Sequence, residues 1–116
     1  MNKYHFHVIS ALIHSQQGFL RLLKEKAFKD EILGYAAGII FIIFNSGTFK
    51  NYLFFTILAL ALFAVEAINT AIEEIIDHLS PERSIVGKNA KDLGSFACFL
   101  IILANVLYLV GVAVKI

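Results

Sequence analysis

At 116 residues, with 59% hydrophobic side chains and a mean hydropathy of +0.76, the chain has room for one domain and is too apolar for an ordinary soluble one. A net charge of +1 and a pI near 7.9 give no basic surface of the kind nucleic-acid binding needs. The single cysteine, Cys98, excludes an intramolecular disulfide, and its flanks read as buried apolar helix.

Residues 1–13 carry His5 and His7 in a short apolar stretch without a small-residue cleavage site, so no signal peptide is expected and the mature chain is taken as the whole chain. Further on, Phe19, Leu22, Leu23 and Phe28 alternate with Arg21, Lys24, Lys26 and Lys29. That pattern fits an amphipathic helix lying in a membrane interface over residues 1–31; a cytoplasmic extension of the first span fits it as well. Span one is expected over about residues 32–49. Its apolar run, 32–44, is short for a crossing, and Asn45, Ser46 and Gly47 either lengthen or end it. Gly34 and Gly38 form a small-xxx-small pair suited to close helix packing. Span two is expected over about residues 50–77 with a cytoplasmic extension, because Ala67, Ile68, Ala71, Ile72, Ile75 and Ile76 prolong the apolar run 52–65. A loop over residues 78–91 begins where Ser80-Pro81 breaks the helix, and Ala90-Lys91-Asp92 resumes one. Span three, about residues 92–114, has no charged side chain from 93 to 114, and Asn105 is its most polar residue.

Charge fixes the direction. Lys3, Arg21, Lys24, Lys26 and Lys29 precede span one, and Arg83, Lys88 and Lys91 lie between spans two and three; Lys50 and Lys115 fall on the other side. The positive-inside bias therefore predicts a cytoplasmic N-terminus and a cytoplasmic 77–92 segment, which agrees with three crossings.

The most informative stretch is the end of span two. At 3.6 residues per turn, Glu66, Asn69, Thr70, Glu73 and Asp77 share one face, a polar ladder roughly 16 Å tall. A carboxylate in the hydrocarbon region costs several kcal/mol, so Glu66 is expected to face protein or water and to be functional. The competing reading is an ordinary solvated helix beyond Glu66, and for Glu74, off the face, that reading is preferred. Stacked carboxylates suit a hard divalent cation such as Mg2+, which takes one or two carboxylates and leaves the rest of its shell to waters and phosphates. Asp77-His78 and Glu74-x-x-x-His78 do not match carboxylate-histidine metal spacing, and neither do His5, His7 and His14. Gly87-Lys88 lacks the glycine, serine or threonine that a phosphate-binding loop requires around it, so any phosphate must be met by Lys88 or Lys91 with a metal. Both lysines also read as headgroup contacts.

The run Glu66-Ala-Ile-Asn69-Thr-Ala-Ile-Glu73-Glu-Ile-Ile-Asp77, followed by Gly87-Lys-Asn-Ala-Lys91-Asp92-Leu-Gly94-Ser95, closely resembles the signature of the bacterial integral-membrane diacylglycerol kinase family, which includes undecaprenol kinases. Glu25-Lys-Ala-Phe28-Lys-Asp-Glu31 resembles the family's acidic surface-helix motif, in the form of its diacylglycerol branch. The resemblance implies an all-α integral membrane homotrimer of the inner (cytoplasmic) membrane, with a surface helix and three transmembrane helices per chain and sites shared between subunits. It implies transfer of the ATP γ-phosphate to diacylglycerol, giving phosphatidic acid and ADP. Glu66 is then the general base, and Asn69 joins it in catalysis, stabilising charge on the transferred group together with Lys91. Glu25 and Glu73 hold Mg2+ against ATP; Asp77, Glu82, Lys91 and Asp92 place the nucleotide; Ser95 sits near the acceptor beside Glu66. Undecaprenol is the alternative acceptor, and a small proton-coupled transporter is the alternative from another class, since ionisable groups in spans also mark ion pathways.

Overall fold

A computed structural model describes the backbone of residues 3–116 and the side chains of residues 7–116; Met1, Lys3 and His5, used above for the N-terminus and the charge count, lie outside what is described at side-chain level. Four helices account for the described chain: α1 (Lys3–Leu22), α2 (Lys26–Phe44), α3 (Phe49–Leu79) and α4 (Ile85–Ala113). The molecule measures 48 × 48 × 20 Å, and α3, whose 31 residues make a rod about 46 Å long, accounts for one of the two long dimensions.

The expected surface helix is broken. Leu23, Lys24 and Glu25 separate α1 from α2, with Glu25 taking an extended conformation (φ −83°, ψ 130°) as the residue that opens α2. Burial explains the break: Leu22 and Phe28 both turn inward, and Phe28 stacks edge-on between Phe19 of α1 (6.1 Å) and Phe63 of α3 (5.3 Å). Residues 26–31 thus extend the first apolar helix, while α1 packs only through its last turns. Arg21 clamps the corner, bonding Glu25 at 2.8 Å and Glu74 at the far end of α3. These hydrogen bonds, to Glu25 first and then Glu74, raise the guanidinium above its ordinary range.

The α2–α3 turn ends the helix rather than lengthening it. Ser46 adopts a left-handed conformation (φ 55°), Gly47 N–H donates to Ile42 O at 2.9 Å and Ser46 N–H to Ile43 O at 3.1 Å, so the last carbonyls of α2 are satisfied within the turn. Gly47 is required by contact, since a Cβ there would run into the Ile42 side chain. The C-terminus repeats the device with Lys115 (φ 62°) and Ile116 N–H donating to Gly111 O, and the Lys115 ammonium donates to Asn45 O at 2.6 Å. The C-terminal ends of α2 and α4 therefore meet, pointing the same way, with α3 antiparallel to both. Ile42, Phe55 and Val112 form the tightest core at this end.

Gly38 gives α2 its approach to α3: a Cβ at that position would fall on the Phe55 ring. Gly38→Ala is expected to cost about 1–3 kcal/mol by overpacking, more than the helix propensity returned. A lowered unfolding temperature in detergent micelles checks this; an unchanged one would mean that the Phe55 ring turns aside freely.

α3 and α4 are long and apolar enough to cross a membrane. Their outward side chains are apolar, as lipid contact demands: Ile57, Leu60, Phe99 and Leu107 are all more than half exposed. α2, whose first turns carry Lys26, Lys29, Asp30 and Glu31, is not among the helices that meet that measure. α4 begins earlier than the expected resumption at Ala90, because Ser84 caps it, its Oγ accepting from Gly87 N–H at 3.0 Å.

Candidate active site

The polar ladder on α3 is real, and its rungs face different ways. Glu66, Asn69 and Thr70 are buried. Glu66, Asn69 and Glu73 line a cavity of about 610 Å3 between α2, α3 and α4, whereas Thr70 faces the groove under α1 and Asp77 the α3–α4 loop. Helical geometry sets this order: positions 66, 69 and 73 stack at i, i+3 and i+7, one turn above another. Glu25, Asp30 and Glu31 reach the same cavity from α2, and Ser95 and Cys98 from α4.

Within it, Asn69 Nδ2 donates to Glu73 Oε1 at 3.2 Å, while Asn69 Oδ1 is buried without a hydrogen-bond partner. Cys98 donates its thiol hydrogen to Glu66 Oε2 at 3.3 Å. Gly94 makes the close approach of α4 possible, since a Cβ there would clash with Asn69 Oδ1. Towards the opposite membrane face the wall turns apolar, with Phe55, Ala59, Leu62, Ile102 and Leu109, interrupted by Asn105, whose Nδ2 bonds Leu58 O and Ile101 O. A polar head and an apolar tail chamber suit an amphiphile with a hydroxyl at its head.

A second cavity of about 580 Å3 surrounds the α3–α4 loop and takes in Asp77, Glu82, Arg83, Lys88, Lys91 and Asp92. Lys91 Nζ bonds Asp77 Oδ1 at 2.5 Å, joining α4 to the end of α3, and Lys88 bonds Asp92 at 2.7 Å. The bond to Asp92 raises the Lys88 ammonium above its ordinary range. The expected site residues thus divide in two: Glu66, Asn69, Glu25, Glu73 and Ser95 in the cavity between helices, and Asp77, Glu82, Lys91 and Asp92 around the loop.

One acid was not singled out from the sequence. Glu31 faces the cavity from α2 beside Glu66, with its Oε1 buried and unpartnered. The available signal was its position at the boundary of the 32–44 apolar run, where a solvated charge has little reason to point inward.

No group of three or more His, Cys, Asp or Glu side chains among the described residues forms a cage for a metal. Mg2+ does not need one, since one or two carboxylates with waters and substrate phosphates complete its shell; Glu25 at the start of α2 and Glu73 on α3 line the same cavity and would supply them, and the orphaned Asn69 Oδ1 offers a further hard oxygen.

Membrane-type helices enclosing a buried acid, with a basic and acidic loop pocket at one end, define an integral membrane protein with an enzyme-like site. The sequence model of the prokaryotic diacylglycerol kinases matches residues 13–113. A diacylglycerol kinase of a Sinorhizobium species is 51% identical over 102 residues, 88% of this chain and 74% of the relative. One from Pseudomonas aeruginosa is 35% identical over 95 residues, 80% of this chain and 76% of the relative. The chain belongs to the prokaryotic diacylglycerol kinase family, which makes it a kinase and sets aside the transporter.

Proposed function

We propose that the chain transfers the γ-phosphoryl group of ATP to the free hydroxyl of diacylglycerol, yielding phosphatidic acid and ADP. The observation that carries this reading is the buried Glu66, which heads a cavity with apolar lower walls and with Asn69 and Glu73 stacked above it. Counting from Phe49, Glu66 lies about 26 Å along α3, close to the far edge of a hydrocarbon layer about 30 Å thick. That is the depth at which a diacylglycerol hydroxyl rests. Glu66 takes the hydroxyl proton as the lipid oxygen attacks the γ-phosphorus; the bond to the β-phosphate oxygen breaks, and ADP leaves. Ser95 orients the acceptor. Asn69 and Lys91 stabilise charge on the transferred group, and Asp77, Glu82 and Asp92 place the nucleotide from the loop pocket. Glu25 and Glu73 hold Mg2+, which, when bound, neutralises charge on the ATP phosphates.

In this reading α2 is the third crossing. Its C-terminal end is tied to that of α4 through Lys115 and Asn45, so a helix that spans carries it to the same face. Eight cationic side chains against two support a cytoplasmic N-terminus and α3–α4 loop, and with them residence in the cytoplasmic (inner) membrane. A homotrimer fits the division of the site into two pockets, which assembly with sites shared between subunits would bring together.

The test is lipid phosphorylation by the purified, detergent-solubilised protein with Mg2+ and labelled ATP, offering dioleoylglycerol and undecaprenol in parallel. Transfer to dioleoylglycerol is expected; preference for undecaprenol would move the acceptor to the polyprenyl alcohol, and transfer to neither would end the proposal. Glu73→Gln is expected to raise the Mg2+ concentration for half-maximal rate by about tenfold, as loss of one charged ligand predicts. Coincident Mg2+ titration curves for wild type and variant would remove Glu73 from the metal.

A further inference from the structure

The Glu66 carboxylate is buried, and a buried carboxylate needs donors to fix its direction. Among the described residues two groups reach it: the Cys98 thiol, at 3.3 Å from Oε2, and the Glu31 carboxyl beside it on α2. Cys98 is itself 93% buried, on the α4 face that carries Ser95 into the same cavity one turn earlier. Nearby, the 93% buried Asn69 leaves Oδ1 unpartnered in that cavity, a second polar group held ready there.

We propose that Cys98 is a positioning residue for the phosphoryl transfer: its thiol donates to Glu66 Oε2 and so holds the rotamer in which the carboxylate meets the lipid hydroxyl. The inference rests on the reading of Glu66 as the base. A thiol suits the task because it is a weak donor. An ammonium or guanidinium at the same place would bind the carboxylate strongly enough to compete with the proton it must accept, whereas S–H fixes the rotamer and takes little basicity away. The link also crosses between helices, so the base on α3 is set by α4, the helix that brings Ser95 to the acceptor.

Three variants separate orientation from packing. Cys98→Ser keeps a donor on a slightly shorter arm, Cys98→Val fills the space without one, and Cys98→Ala does neither. Turnover with dioleoylglycerol is expected to fall about tenfold in Cys98→Val and Cys98→Ala, and to stay within about twofold in Cys98→Ser, with the KM for MgATP unchanged throughout. If packing alone mattered, Val would rescue and Ser would not; that order, or full activity in all three, overturns the proposal. Because Cys98 is the chain's single cysteine, its S–H stretching band can be read without interference in the intact protein. The band is expected at the lower frequency of a hydrogen-bonded thiol and is expected to rise in Glu66→Ala; the same band in both proteins would overturn the proposal whatever the kinetics. An active Glu66→Gln would instead remove the base assignment, a failure separate from that of the thiol contact.

Discussion

Glu66→Gln is expected to lower lipid phosphorylation by about a thousandfold or more, the scale of a lost general base, while the KM for MgATP stays within a few-fold. The amide keeps the size of the carboxylate and removes its basicity, so the cavity between α2, α3 and α4 retains its shape. In the proposed reading the nucleotide is placed by the loop pocket around Asp77 and Lys91 and its metal by Glu25 and Glu73, and the substitution touches none of these. Single-turnover measurements with excess enzyme separate the chemical step from product release. A variant that phosphorylates dioleoylglycerol at a rate within tenfold of wild type would assign the proton elsewhere, and Glu31, the other acid beside it, would be the first residue to substitute.

Gly94→Ala is expected to reduce turnover about a hundredfold although it places a better helix former in α4, because displacement of a catalytic group by about 1 Å costs that much. The added Cβ would lie far inside contact distance of Asn69 Oδ1. Either α4 backs away from α3, which separates Ser95 and Cys98 from Glu66, or Asn69 rotates and gives up its 3.2 Å bond to Glu73. Both routes disturb the site without unfolding the chain. Rates in mixed micelles, paired with circular dichroism to establish that helix content is retained, test this. Full turnover in Gly94→Ala would mean that Asn69 need not stand where it does.

The part of the site carried by one helix was legible in the sequence, since spacing along α3 alone puts Glu66, Asn69 and Glu73 on one face. What depended on pairing between helices was not. Thr70 shares that face in projection, yet α1 and α2 cover one flank of it and α4 the other, so Thr70 parts from Glu66. The break between α1 and α2 carries no proline or glycine, and Glu25 is not among the usual capping residues; the turn is made by Leu22 and Phe28 both seeking the interior. At α4 the signal was present in Ser84, a good cap, but Gly87 three residues later reads as loop and masked it. In the sequence Glu31 reads as part of an acidic surface motif with no role of its own, because an acid at the edge of an apolar run is usually an interfacial charge, and only the packing of α2 on α3 shows that it turns inward.

The exposed apolar walls of α3 and α4 have a consequence for how the reaction is measured. A membrane-dissolved acceptor comes to a cavity walled by lipid-facing helices by lateral diffusion in two dimensions, while ATP arrives from bulk solution in three. The rate then follows the mole fraction of diacylglycerol in the film rather than its molarity in the tube. Doubling the inert phospholipid at constant amounts of enzyme and substrate halves the encounter frequency below saturation, even though no concentration written per litre has changed for either.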